Sequence, residues 1–239
     1  MTKNCFLVRM EERHCADAQE EAAMLRIRAK ALDYREHLLR QDVFAYAFQL
    51  RDKPVGLMLA MADSNNALDA MLKADPLFPY CHITVTPVID TEGLILEAQD
   101  HLKEEIISRE RAAQLVHPLQ RPRDDRSYLC ITKEVLPFSP LLPESAQDEI
   151  FRKTVRSQDA HENHELEFAD HNPVGRQIGI LIGCGTEDDV MAHVRHCEVY
   201  PDTVVKCEPL LTLLHAYRQC TARLQYLRRP VSASDFFTM

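Results

Sequence analysis

The sequence contains no tryptophan, few glycines and no long apolar run. With six glycines in 239 residues, it has no Gly-rich loop that could cradle a phosphate. The Gly-Cys-Gly at residues 183–185 is a single GxG, which is too little for a nucleotide-binding fingerprint. A membrane-spanning helix needs about 20 consecutive apolar residues, and the start of the chain also lacks the apolar core of a signal peptide. We therefore expect a cytoplasmic protein that does not contact a membrane.

Basic residues are also scarce relative to acidic ones. The 28 lysines and arginines face 37 aspartates and glutamates, which gives a net charge of −9. Because nucleic-acid binding normally needs a concentrated basic face, we expect no nucleic-acid partner. The eight cysteines contain no CxxC pair. Four of them lie in apolar, strand-like runs where a reduced thiol behaves as a small hydrophobe: Cys5, Cys81, Cys130 and Cys207.

An internal repeat organises the chain. With a shift of 122 residues, the segment 63–87 lies on 185–209 without a gap, and residues 6–10 lie on 128–132. Lys-Pro-Val-Gly at 53–56 corresponds to Asn-Pro-Val-Gly at 172–175 after a small change of length. Because these matches keep the same order along both halves, they indicate two copies of one module.

Each copy reads as strand, helix, strand, strand, helix, strand. In the first copy we predict strands at 6–10, 43–50, 57–61 and 81–88 and a helix at 20–40, while Asp63 or Ser64 caps a second helix that carries Leu68, Met71 and Leu72. In the second we predict a helix at 143–156, a hairpin of 165–170 with 177–183, a helix at 187–196 and a strand at 203–207. This split βαβ order gives an antiparallel sheet with helices on one face. We therefore predict an α+β fold in which tandem ferredoxin-like repeats form an intrachain dimeric α+β barrel.

The domain boundaries follow from the repeat. The first ferredoxin-like repeat spans residues 1–92 and the second, more divergent one spans 127–216. Residues 93–126 are predicted to be a connecting helix (94–115) and a linker (117–126), and residues 217–239 a C-terminal helix and tail.

Residues 5–90 resemble muconolactone isomerase and its relative chloromuconolactone dehalogenase. The resemblance rests on Phe-Leu-Val-Arg-Met at 6–10, on the segment 68–88, and above all on the Pro-Leu-Phe-Pro-Tyr string at 76–80. The second repeat keeps only Val-Tyr-Pro at 199–201. A more distant resemblance, to the YCII-like proteins, rests on Ala-Asp-Pro at 74–76.

The resemblance implies a dimeric α+β barrel and an enzyme that moves a proton on an unsaturated lactone or a related ring-cleavage product of aromatic catabolism. It implies an acidic lactone as the substrate, and we expect a homo-oligomer. The sequence departs from the family at three positions: Ala31 replaces the acidic residue of the first helix, Tyr46 a histidine of the second strand, and Asp42 a glycine. An alternative function is therefore a non-catalytic small-molecule-binding or assembly protein that retains the barrel but has lost the catalytic acid.

Six residues are candidates for the site: Asp33, His82 and Tyr46 for catalysis, and Arg9, Tyr80 and His37 for substrate binding. Asp33 and His37 are four apart and share one helix face, either as a carboxylate-oriented base or as a solvated pair. Arg9 and His82 lie in apolar strands, where polar groups need partners. Arg9 could bind a substrate carboxylate, or the two residues could make salt bridges or a subunit contact. The two tyrosines are alternatively core residues with a bonded hydroxyl.

Histidines concentrate in the second repeat. His161 with His164, and His193 with His196, repeat the HxxH spacing that zinc, copper and nickel sites use. Neither pair has a third ligand at a fixed spacing, so we predict no metal site and no other cofactor.

Overall fold

The computed structural model describes residues 4–115, 123, 127–134, 143–160, 167–170, 178–184, 188 and 205–227. The predicted helix at 187–196 lies outside these residues except for position 188, and both HxxH pairs lie outside them entirely. None of the helices in the described ranges is long and apolar enough to cross a membrane.

The described residues form eight strands and six helices. The first half contains β1 (Asn4–Glu12), α1 (Ala18–Arg40), β2 (Phe44–Leu50), β3 (Val55–Ala62), α2 (Asn65–Ala74), a 3₁₀ turn (Phe78–Tyr80) and β4 (Cys81–Asp90). The rest contains α3 (Thr91–Leu102), α4 (Arg109–Leu115), β5 (Tyr128–Glu134), α5 (Glu144–Ala160), β6 (Glu167–Asp170), β7 (Ile178–Cys184), β8 (Val205–Thr212) and α6 (Leu213–Leu227). The predicted α+β class is confirmed.

Capping residues fix where the first two helices begin. The side chain of Asp17 accepts hydrogen bonds from the backbone N–H groups of Gln19 and Glu20 at the start of α1. Ser64, one of the two predicted caps, accepts from the N–H of Ala67 at the start of α2. These bonds satisfy donors that a helix leaves free at its N-terminus.

All eight strands belong to one antiparallel sheet, which closes into a barrel in the order β1-β3-β2-β8-β5-β7-β6-β4. The first four strands of the chain are neighbours, and so are the last four. The two groups meet where β2 pairs with β8 and where β4 pairs with β6.

Side chains alternate between the inside of the barrel and its outer face, as strand geometry requires. On β1, Phe6, Val8 and Met10 pack in the outer core under the helices, whereas Cys5 and Leu7 pack in the interior cluster. The same alternation therefore places Arg9 on the interior face.

The predicted helix at 94–115 is wrong in its continuity, because the structure divides it into α3 and α4. Lys103, directly after α3, has a φ of 52°, a left-handed conformation that interrupts a right-handed helix. The side chain of Gln99 then accepts hydrogen bonds of 2.8 Å from the N–H groups of Ile106 and Ile107, which turns the chain.

A helix follows the last strand of each half and crosses to the other half. α3 follows β4 and packs against α5, and α6 follows β8 and packs against α1. Arg223 of α6 pairs with Glu21 of α1 at 2.8 Å, and the Cys220 thiol donates to the carbonyl of Leu25. The C-terminal helix was predicted to begin at residue 217. In the structure it begins at Leu213, since it continues directly from the end of β8.

A buried ion pair joins α1 to the connection between α2 and β4. Arg35 Nε lies 2.7 Å from Asp75 Oδ2, and the two side chains are 1% and 2% exposed. The other oxygen of Asp75 accepts from the N–H of Leu77 at 2.8 Å. Arg35 Nη1 lies against Gly56 so closely that a Cβ there would be 2.5 Å from it. Only a glycine at position 56 leaves the guanidinium in place.

We expect Gly56→Ala to destabilise the protein by about 1–3 kcal/mol, the usual cost of overpacking, because Asp75 prevents Arg35 from moving aside. Arg35→Met should cost about 3–5 kcal/mol, since it leaves the Asp75 carboxylate buried and unpaired. In the Arg35→Met background the clash is gone, so Gly56→Ala should cost much less there. Urea denaturation of the four proteins measures this coupling. Equal costs of Gly56→Ala in both backgrounds would contradict the contact.

Candidate functional site

One end of the barrel, which we call the mouth, lies where β1 and β2 end and β3, β4 and β8 begin. The strand registers define it, since Glu11 lies opposite Val55 and His82 and Leu50 lies opposite Leu210. Polar side chains on the interior faces of these strand ends therefore gather at one place.

Three cations surround one carboxylate at the mouth. Glu208 of β8 is 11% exposed in its side chain and receives Lys206 Nζ at 2.9 Å, Lys53 Nζ at 3.3 Å and Arg9 Nη1 at 3.3 Å. We call these four residues the cation cluster. With one negative and three positive groups, the cluster has a surplus of two positive charges.

Both halves of the chain contribute to the cation cluster. Arg9 reaches from β1 to β8, which is three strands away around the barrel, so its side chain crosses the interior. Lys53 lies in the turn between β2 and β3, which is held by a hydrogen bond of 3.2 Å from Gln49 Nε2 to the Lys53 carbonyl. The N–H of Arg51 donates to the carbonyl of Pro209 at 2.9 Å, which keeps this turn beside Glu208.

The cations set the charge state of Glu208. Burial is the largest single effect and on its own would raise the pKa of this carboxyl group. The hydrogen bond from Lys206, the charges of Arg9 and Lys206, and the hydrogen bond from Lys53 together outweigh burial and lower the pKa below its usual value of 4.5. Glu208 is therefore an ionised carboxylate at neutral pH.

The structure brings two of the six sequence candidates to the mouth. Arg9 is the member of the cation cluster described above. His82 lies on the interior face of β4, because Cys81 and Ile83 on either side of it pack in the outer core. The imidazole is exposed, and the neighbouring interior position on β4, Thr84, lies opposite Arg9.

The two tyrosines occupy different depths. Tyr46 is 1% exposed in the interior cluster, where its ring stacks on Phe48 with 6.3 Å between the centroids. Tyr80 is 40% exposed at the end of the 3₁₀ turn, and its carbonyl accepts from the N–H of Arg13. Tyr46 is therefore part of the barrel core, and Tyr80 is a surface residue near the mouth.

Asp33 and His37 lie away from the mouth. Both are exposed residues of α1, whose buried residues, such as Leu32 and Leu39, pack in the outer core. The two side chains therefore face away from the barrel, and their proposed catalytic and binding roles stay predictions.

Sequence reasoning missed Lys53, Lys206, Glu208 and Glu11. A signal was present in Lys206-x-Glu208 and Arg9-x-Glu11, where two charges on the same face of an apolar strand need partners or water. What the sequence could not supply was the pairing of Arg9 with a residue 199 positions away.

The remaining metal-binding side chains form no site in the part of the chain that the structure describes. Among the described residues, no three or more His, Cys, Asp and Glu side chains lie close enough together to hold a metal ion. Cys15, Cys81 and Cys220 are reduced thiols, and burial raises the pKa of Cys81 to about 12.

The fold is similar to that of chlorite dismutase from Candidatus Nitrospira defluvii. The structure of that enzyme in complex with imidazole aligns with a TM-score of 0.54 and 9% sequence identity, over 94% of this chain and 95% of the enzyme. A mutant of the enzyme in complex with cyanide aligns with a TM-score of 0.56 and 8% identity, over 92% and 95% of the two chains. At these identities the likeness establishes the fold alone. No family model and no curated protein matches the sequence.

The resemblance to muconolactone isomerase and to YCII-like proteins is therefore wrong, because the structures found to be similar include chlorite dismutases and no member of those two families. The Pro-Leu-Phe-Pro-Tyr string has a structural role instead. It follows Asp75, whose carboxylate holds both Arg35 and the N–H of Leu77, and Leu77 itself is 1% exposed in the outer core. An isomerase activity in aromatic catabolism loses its support with the resemblance.

The lowered pKa of Glu208 predicts how stability depends on pH. The stabilisation is fully present above the unfolded-state value near 4.5 and is lost as the pH falls through the lower folded-state value. Glu208→Gln should therefore cost about 1.5–3 kcal/mol at pH 7, the value of a charge-assisted contact, and progressively less below pH 4.5. Denaturation at a series of pH values measures the difference. The matched variant Glu36→Gln alters an exposed carboxylate paired with Arg40 and should leave the free energy of unfolding almost unchanged at every pH. A destabilisation by Glu208→Gln that does not vary with pH would refute the assignment.

Proposed function

We propose that the protein is an enzyme that binds a small anion at the mouth of the barrel, with Arg9, Lys53 and Lys206 as the cationic anchors. The observation that carries this proposal is the convergence of three cations on one buried carboxylate. A structural ion pair needs only one cation for each carboxylate, so the surplus of two charges suits an additional anion.

The exposure of the cluster fits a ligand that enters from solvent. Lys53 and Lys206 are 55% and 53% exposed, while Glu208 beneath them is 11% exposed. Each ammonium group has three N–H donors, and the contact with Glu208 uses one, so donors remain for a ligand.

The fold neighbours agree with an anionic ligand. Chlorite, which gives the enzyme of Candidatus Nitrospira defluvii its name, is a small oxyanion, and a mutant of that enzyme is described with cyanide. We propose by analogy that this chain acts on a small oxyanion or carboxylate. The alternative is a non-catalytic binding protein, which would hold the same anion without converting it.

We further propose that the chain is a tandem duplication in which each ferredoxin-like repeat supplies half of the barrel. The strand order supports this, because β4-β1-β3-β2 of the first half and β8-β5-β7-β6 of the second follow the same sequence. The helix exchange supports it too, because α3 of the first half packs on α5 of the second and α6 of the second half packs on α1 of the first. A homo-oligomer and a cytoplasmic location remain predictions from the sequence.

The strand registers refine the repeat. If the gap-free match of 63–87 with 185–209 is kept, Thr84 and Thr86 of β4 are equivalent to Lys206 and Glu208 of β8. Thr84 lies opposite Arg9, and Lys206 lies opposite Thr132. The equivalent of Arg9 is therefore Thr132. The match of 6–10 with 128–132 would instead pair Arg9 with Ile131, so the offset between the repeats is one residue larger in this strand. Arg9 of the first half and Lys206 and Glu208 of the second therefore each have a threonine at the equivalent position of the other half, which supports a single anion site per chain.

A protease cut in the linker tests the duplication. We expect limited proteolysis to cleave within residues 117–126 and to leave two fragments that elute together in size-exclusion chromatography. The β2–β8 and β4–β6 ladders, together with the crossing helices, would hold them. Fragments that separate without denaturant would contradict an intrachain barrel.

We expect formate and chlorite to bind the protein with one site per chain in isothermal titration calorimetry. Lys53→Ala should weaken formate binding by about tenfold, since one charge-assisted contact is worth roughly 1.5–3 kcal/mol. Glu208→Gln should strengthen binding, because it removes the internal competitor and raises the surplus charge from two to three. Circular dichroism should first confirm that each variant is folded.

Lys73→Ala is the matched control. Lys73 is 58% exposed and pairs with Asp69 at 2.6 Å, much as Lys53 is exposed and pairs with Glu208, but it lies on α2. Equal weakening by both variants, or no formate binding at all, would rule out the proposed anion site. Consumption of chlorite by the protein as isolated would separate the enzyme from a protein that only binds.

A further inference from the structure

Glu11 and His82 face each other at the mouth, beside the cation cluster. They are direct partners in the β1–β4 register, and partners across an antiparallel pair have Cβ atoms about 4.5–5.5 Å apart. Both lie on the interior face, since the residues that alternate with them, Met10 and Glu12 on β1 and Cys81 and Ile83 on β4, lie on the outer side. The backbone therefore places a carboxylate and an imidazole where a change of side-chain rotamer can bring them into contact.

Neither side chain is committed to another contact in the described part of the chain. Glu11 and His82 are both exposed, and neither side chain has a hydrogen bond or ion pair with another described residue, which means that they do not contact each other either. By contrast, the next residue, Glu12, is held by both Nε and Nη2 of Arg28 at 2.7 and 2.8 Å. A structural role explains Glu12 and leaves Glu11 and His82 unexplained.

The pair lies next to the proposed anion anchors. Arg9 precedes Glu11 by one interior position on β1 and lies opposite Thr84, which follows His82 by one interior position on β4. Diagonal neighbours of this kind have Cα atoms about 7–8 Å apart. A ligand that contacts both Arg9 and the imidazole would therefore bridge two neighbouring strands, β1 and β4.

We propose that Glu11 and His82 are the acid–base pair of this site, acting on an oxygen of a small protic anion such as a hydroxy acid or a hydrogen oxyanion. The proposal rests on the anion site proposed above. The neutral imidazole takes the proton, so that an N–H bond forms and the O–H bond of the ligand breaks. The electron pair stays on the ligand oxygen. Glu11 stabilises the imidazolium, which releases its proton to water or returns it to the ligand.

In this assignment, the anion anchors and the base come from different strands of the barrel. The anion anchors come from β1, β8 and the β2–β3 turn, whereas the base comes from β4. In the gap-free match of the two repeats, the residue equivalent to His82 is Val204, so the second repeat supplies no histidine at the corresponding position.

Nuclear magnetic resonance of protein with labelled histidines tests the assignment, with formate as the probe and His82→Gln to identify the resonance. We expect formate to shift the His82 ring signals saturably, with the dissociation constant found by calorimetry. The signals of His37, exposed on α1, should not move. Glu11→Gln should shift the same His82 signals at neutral pH without ligand, whereas Glu36→Gln should leave them in place.

The outcomes distinguish the two proposals. If formate binds and Lys53→Ala weakens it, but the His82 signals stay unchanged, the anion site stands and the acid–base pair is wrong. If formate does not bind, both are wrong. For any anion that the protein converts, His82→Gln should lower kcat at least tenfold with little change in KM, since general acid–base catalysis contributes about 10²–10⁴-fold. Lys53→Ala should chiefly raise KM, and the reverse pattern would overturn the assignment.

Discussion

The buried ion pair of Arg35 and Asp75 is the constraint on which the first half of the barrel depends. A charge enclosed in the core is tolerated only when a partner and further hydrogen bonds replace water. Here Asp75 supplies the partner, Met10 contacts the guanidinium through its sulfur, and the missing side chain of Gly56 supplies the space. One contact therefore fixes the position of α1, the end of α2 and the register of β3 relative to β1. Because the short connection that begins at Asp75 leads into β4, the same contact also sets where His82 lies.

In the cation cluster, too, a shielded carboxylate needs charged partners in place of water, but here the partners reach the solvent. Glu208 is as shielded as a core residue, but Lys53 and Lys206 extend to solvent, so water supplies part of their solvation. Such a cluster tolerates a surplus of positive charge that the core could not. The Arg35–Asp75 pair is closed and balanced, which suits a structural role. The cluster at the mouth is open and unbalanced, which suits a ligand.

The short string at 76–80 illustrates how a structural requirement can imitate a functional signature. The connection from α2 to β4 must end the helix, bury Leu77 and present Asp75 to Arg35. Prolines at 76 and 79 and the apolar residues between them meet those needs. Such a string reports a barrel, which the fold comparison supports, but it carries no information on the reaction. The side chains at the mouth come from other segments.

The sequence alone determined the α+β class, the strands of the first half and the cap of its second helix, because these depend on residues close together in the chain. Ser64 begins α2 and alternation along β1 separates two faces for purely local reasons. The sequence also identified Arg9 and His82 as polar residues in apolar strands that need a partner or a function. Tertiary structure alone decided which partner each receives. Arg9 meets Glu208 only because the barrel closes and brings β8 of one half opposite β1 of the other. Likewise, Glu11 gains significance only from the register that sets it opposite His82. Pairings between distant segments depend on how sheets close and on the charges they enclose, and no local pattern encodes them.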